Sequence, residues 1–152
     1  MRLTRQYRFA ASHRLHSPLL GEEENQRVYG KCNNPFGHGH DYVVQVVLEG
    51  RPDPATGLMV PLESLDEFVD RILMRDVSNR NLNDMPVFEK LVPTTENLAA
   101  VADERLRSAW PEAFPAGPVL AGVRVLETAR NSFETPGGRD RKHALQYEAP
   151  RS

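Results

Sequence analysis

The sequence predicts an α+β fold, an antiparallel sheet with two helices on one face. Three observations predict it. Extended, β-rich segments flank the chain's middle, two before it and one after. The middle holds two consecutive amphipathic helical segments with no strand between them. A Pro-, Asp- and Gly-rich turn follows the second strand. Hairpin-joined strands beside consecutive helices indicate helices segregated to one face of an antiparallel sheet.

The first strand is read at residues 5–13, "RQYRFAASH", with Tyr7, Phe9 and Ala11 on one face. Residues 14–39 read as a long loop, carrying Pro18, Gly21, Asn25, Asn33, Asn34, Pro35 and Gly37. A loop of that length in a compact domain is usually functional or disordered. Residues 41–50, "DYVVQVVLEG", are β-branched and strand-like, and "RPDPATG" reads as the turn of a hairpin. In the first helix Leu65, Phe68, Val69, Ile72 and Leu73 form one apolar stripe. Ser64 and Glu67 have capping-box spacing at its start. In the second, Thr95 reads as the cap and Leu98, Val101, Ala102, Leu106 and Ala109 as the buried stripe, with Pro111 as the stop. Residues 118–127, "PVLAGVRVLE", form a further strand. In the tail, "NSFET" or "ALQYE" offers one more short strand, and "PGGRDRK" between them reads as loose. Segments 41–48 and 119–126 are apolar on both sides, which suggests that the sheet's second face is buried too, by another subunit.

The chain's 152 residues fit one domain, 1–152. At 39% hydrophobic and 26% charged it has an ordinary globular composition, and its formal charge of -2 does not suggest attraction to nucleic acid or acidic membranes. No apolar run approaches the ~20 residues of a membrane span, and "MRLTRQYRFAASH" has no signal-peptide core. One cysteine cannot form an internal disulfide, so a reducing cytoplasm is the simplest setting.

The chemistry concentrates in "GKCNNPFGHGHDY", residues 30–42. On an extended segment His38 and His40 point the same way and could offer two metal ligands. A catalytic zinc needs a third, and His13 ends the first strand where a neighbouring strand could bring it alongside. Surface or core histidines are the other reading of an H-x-H pair, and His16 and His143 are read that way. Cys32 is a small buried apolar residue on one reading. On the other, Lys31 beside it favours a thiolate that serves as base, nucleophile or fourth zinc ligand. Taken alone, Glu127 is a charge at a strand end.

The blocks "FAASHRL", "YGKCNNPFGHGHDY", "DPATGLM", "NRNL", "PTTENLA" and "VRVLET" occur in an order and spacing that resemble the 6-pyruvoyl-tetrahydropterin synthases over about residues 5–128. The 6-carboxy-tetrahydropterin synthases of queuosine biosynthesis are related but usually have a shorter gap between Cys and His-Gly-His. The resemblance implies the tunnelling fold, in which strands of three subunits close a barrel and two rings stack into a hexamer with active sites at subunit interfaces. It implies Zn2+ on His13, His38 and His40, Cys32 as general base, Glu127 as the carboxylate that anchors the pterin ring, and Thr94 and Thr95 lining the pterin pocket. The implied reaction, in tetrahydrobiopterin synthesis, eliminates triphosphate from 7,8-dihydroneopterin triphosphate without an external redox cofactor. One block departs. Where the family normally has Leu-Asp-His-Lys-Asn-Leu, this chain has "VSNRNL", so Ser78 and Asn79 replace an Asp-His proton relay. An altered relay, a 6-carboxy or side-chain-cleaving homologue and a non-catalytic pterin-binding or regulatory protein are the three readings that follow.

Overall fold

A computed structural model describes residues 1–135. "ALQYE", "PGGRDRK" and His143 lie outside the described residues. Two strands dominate. β1 (Arg2–His13) and β2 (His38–Glu49) pair antiparallel along their whole length, so Arg2 faces Glu49 and His13 faces His38. β4 (Val119–Leu126) pairs antiparallel with β2 and carries β5 (Ser132–Glu134), the strand expected in "NSFET". The fifth strand, β3 (Arg80–Asn81), is unanticipated. It runs parallel to β1 at Ala11 and Ser12, so the sheet of order β3-β1-β2-β4-β5 is mixed, and antiparallel only in its main body.

Alternation sorts the two faces. Phe9, Ala11 and His13 of β1, with Tyr42, Val44, Val46 and Leu48 of β2, are buried under the helices. The helical layer is α2 (Leu62–Val69), a π-helical stretch (Asp70–Met74), α3 (Arg75–Val77) and the long α4 (Thr95–Ala113). Leu65, Phe68, Val69 and Leu73 meet Leu98, Ala102 and Leu106 over the sheet in one core. The π-helical stretch resets the register of the stripe so that Leu73, Met74 and then Val77 stay inward. A bidentate Arg5–Asp66 pair and the Tyr7 hydroxyl, 2.9 Å from Asp66 Oδ1, tie α2 to β1.

Several boundaries differ from the sequence reading, each for a physical reason. Residues 14–39 are not one loop. They contain α1 (Glu22–Tyr29) and a 3-10 turn (Gly30–Asn33). Three glutamates in the first turn of α1 complement the helix dipole, but its one buried residue is Asn25, so no apolar stripe announces it. The "RPDPATG" turn leads from β2 to α2 and closes no hairpin. The helix at Ser64 starts two residues earlier, behind Pro61 and without a side-chain cap. Thr94, not Thr95, caps α4, its hydroxyl accepting from the Asn97 N–H at 3.3 Å. Pro111 does not stop α4, because Phe114 N–H still reaches the Trp110 carbonyl at 2.9 Å and carries the last turn past it.

The face without helices is more polar than two apolar strands suggested. Arg2, Thr4, Gln6 and Arg8 of β1 are exposed there, with Asp41 of β2. Beyond Ala10, whose carbonyl takes the Asn79 N–H at 2.7 Å, the outer edge of β1 is paired, among the described residues, only at Ala11 and Ser12.

Candidate functional site

Strand alternation builds the site. His13 at the end of β1 and His38 and His40 at the start of β2 all fall on the core face. The register sets His13 opposite His38 and Ala11 opposite His40. Gly37 makes the entry into β2 possible. Its φ is +67°, and a Cβ there would meet the His13 carbonyl oxygen at 2.8 Å.

The three imidazoles each offer one nitrogen, and these atoms lie within 4.8 Å of one another. His13 Nε2 and His38 Nε2 are 3.3 Å apart. Zinc–nitrogen bonds of ~2.0–2.1 Å in a tetrahedron put ligand nitrogens about 3.3 Å apart, so this edge fits the metal. The outer partners fit it as well. His13, fully buried, donates Nδ1–H to the Pro93 carbonyl at 2.8 Å, which leaves the Nε2 lone pair aimed at the cluster. The Tyr42 hydroxyl lies 3.3 Å from the same Nδ1. His38 Nδ1 and His40 Nε2 are buried without a hydrogen-bond partner. Buried polar atoms are rarely left so, and a cation is a natural partner for His40 Nε2, whereas His38 meets the cluster through its other nitrogen, Nε2. Burial pushes His13 and His38 below the usual imidazole range, which keeps them neutral as a metal requires.

Cys32 sits on the 3-10 turn, where its carbonyl accepts the Leu15 N–H at 2.7 Å. Its thiol does not follow the expectation from Lys31. Burial first, and then the negative charge of Glu127, push the thiol above its usual range, towards the neutral form.

Glu127 follows β4 and comes to the histidines. Its Oε1 lies 3.6 Å from His40 Nε2 and 3.8 Å from His13 Nε2, with the side chain only 16% exposed. Thr94 and Thr95 come next after Pro93, so the carbonyl that orients His13 and the two threonines belong to one short segment. Thr95 is buried, and Thr94 lines a cleft of about 470 Å³ with Tyr29, Val92 and Asn97.

Ser78 and Asn79 are elsewhere. Asn79 has φ +55° and lines a groove with Ala10, Ser12, Gly39 and Asp41, the β1 and β2 residues that alternate with the buried set. That groove opens on the face of the sheet away from the helices, although His40 reaches its edge. Among the described residues no hydrogen bond joins Ser78 or Asn79 to Cys32. His16 accepts from Asn33 Nδ2 at 3.1 Å, a structural role in keeping with its sequence reading. Sequence reasoning missed Tyr42 and Pro93. Tyr42 is signalled by its place two residues after His40, on the same face. A backbone carbonyl carries no sequence signal.

The 6-pyruvoyl tetrahydropterin synthase family model matches residues 2–137. The chain is 42% identical over 130 residues to the human 6-pyruvoyl tetrahydrobiopterin synthase, covering 85% of this chain and 86% of that protein. It is 39% identical over 138 residues to the Drosophila melanogaster protein of the same name, covering 89% of this chain and 79% of the other. The Caenorhabditis elegans 6-pyruvoyl tetrahydropterin synthase structure superposes with a TM-score of 0.82 at 38% identity, over 90% of this chain and 95% of that one.

Proposed function

The chain belongs to the 6-pyruvoyl tetrahydropterin synthase family, and from that premise we propose that it is a zinc-dependent lyase that eliminates triphosphate from 7,8-dihydroneopterin triphosphate. The observation that carries this reading is the convergence of His13, His38 and His40, where the buried His40 Nε2 lacks a hydrogen-bond partner. His13, His38 and His40 would hold the zinc, which would supply the Lewis acidity that makes a C–H beside a bound oxygen more acidic.

The chain's own residues do the rest. Pro93 and Tyr42 hold the His13 ring in place. Cys32 is the base for the proton released from the pterin side chain, a role of its thiolate, which the raised pKa makes scarcer but more basic. Thr94 and Thr95 line the ring pocket. Glu127 anchors the ring by accepting its amino and imino N–H groups, its carboxylate turned from the histidines that it flanks. The assembly is a homo-oligomer, most simply a hexamer of two stacked trimers, in the cytoplasm, with residues 1–152 as one domain. The open edge of β1 supports the assembly, since unpaired strand edges are templates for pairing with another chain. No described helix is long and apolar enough to cross a membrane.

A second reading has its own observation. Asparagine at position 79 exchanges no proton near neutral pH, and serine at 78 brings no carboxylate charge to support a residue that did. Formation of a 6-carboxy product, cleavage of the side chain, or pterin binding without turnover would then replace the pyruvoyl reaction. Two measurements decide. Purified protein is expected to hold about one zinc per chain and His38→Ala far less; equal zinc in both rejects the metal site. Mass spectrometry of products from dihydroneopterin triphosphate, and from its dephosphorylated form, identifies the reaction. Ser78→Asp with Asn79→His is expected to raise triphosphate release at least about tenfold, because a positioned acid/base contributes typically ~10²–10⁴ in rate. Cys32→Ala should cancel that gain. A wild type as fast as the double variant would show that another group does this work.

A further inference from the structure

We infer that Asn33 is a positioning residue for Cys32, an assignment that rests on Cys32 being the base. Among the described residues no hydrogen bond reaches the half-buried thiol, so the backbone of its turn and the packing around it set its place. That backbone is fastened to residues 14–16, the segment directly after His13. The Leu15 N–H donates to the Cys32 carbonyl at 2.7 Å. Asn33 supplies the other ties. Its Nδ2 donates to the Leu15 carbonyl at 2.8 Å and to His16 Nδ1 at 3.1 Å, and its own carbonyl accepts from Arg14 Nε at 3.1 Å. Arg14 Nη2 reaches the same His16 Nδ1 at 3.3 Å, so two donors converge on one ring nitrogen. The segment is itself anchored, because Asn83 pairs with both the N–H and the carbonyl of Arg14. Asn33 is 5% exposed, so water does not freely replace its amide. The next asparagine is different. Asn34 is exposed, and its Oδ1 accepts the Phe36 N–H within its own turn. Without the Asn33 amide, the turn keeps only its backbone ties to Leu15 and Arg14 and can pivot. A base displaced by about 1 Å from the proton that it takes can lose ~10² in rate.

Asn33→Asp keeps the shape of the side chain and loses its N–H donors. Its kcat for triphosphate release should fall about tenfold to a hundredfold, with KM within about twofold of wild type. Alkylation reads the same displacement without turnover. Cys32 is the one cysteine, and at one fixed pH iodoacetamide should modify it at least about threefold faster in Asn33→Asp, because the freed thiol meets more water. Asn34→Ala should match wild type in both measurements. His16→Ala should move both in the same direction as Asn33→Asp but less far. His16→Asn, whose Oδ1 can accept where Nδ1 does, should restore them. A kcat for Asn33→Asp within about twofold of wild type overturns the assignment. So does a lower kcat with unchanged alkylation, since the loss then does not pass through Cys32. Circular dichroism checks the fold. If Asn33→Asp is unfolded, the His16 pair decides, and His16→Ala equal to wild type in both readouts overturns the assignment. Cys32→Ala as fast as wild type would reject Cys32 as the base, and its positioning residue with it.

Discussion

Cys32 shows how a neighbour in space can outweigh a neighbour in sequence. Lys31 is adjacent but exposed, and a solvated cation is screened. Burial and the Glu127 carboxylate act through a drier path and hold the thiol neutral. In metal-free protein, alkylation by iodoacetamide should therefore become fast only above the ordinary thiol range of about 8.5. Glu127→Gln should move the midpoint down, because it removes the charge and leaves the burial. A rate profile with an unshifted midpoint in both proteins would mean that the thiol is open to water. The shared face of His38 and His40, by contrast, was legible from spacing, since alternation on a strand is a property of the backbone, and the family resemblance implied that His13 joins them. The family resemblance supplied a pairing role for Glu127, but nothing in the linear order brings residue 127 to residue 40. That closeness comes from β4 lying beside β2.

At the scale of elements, asparagines replace apolar stripes as the organising groups around the site. Asn25 is fully buried at the base of α1. Its Oδ1 accepts the Ser17 N–H at 2.7 Å, and its Nδ2 donates to the carbonyls of Ser17, Leu20 and Gly21 at 3.0, 2.9 and 3.2 Å. Asn83 does the same for Arg14, pairing with both its N–H and its carbonyl. Asn25→Ala would strand several buried backbone groups and should cost about 2–3 kcal/mol in urea unfolding. A loss within a few tenths of wild type would show that water replaces the side chain freely. This is also why residues 14–39 read as loop. The helical stripe of 65–73 and the stripe of 98–109 advertise a core face by their period, and both elements are found. α1 has a polar residue where a core residue is expected, so periodicity is blind to it. β3 is only two residues long and takes its place from β1, which no local pattern records.

Across the described residues, the sheet has one face under helices, one polar face, and a side along β1 that is mostly unpaired. Light scattering at micromolar concentration should give a mass several times 17.1 kDa, and a stable monomer would reject the assembly. The groove beside Asn79 faces away from the helices, and among the described residues no hydrogen bond joins Asn79 to Cys32. The open side of β1 has a further consequence, which is thermodynamic. Where folding is completed by a second chain, stability obeys mass action, and the melting temperature should climb with protein concentration. An unchanged midpoint over a hundredfold dilution would show that each chain stands alone. Otherwise dilution is itself a denaturant, and the amount of protein in a cell sets how much of it is folded.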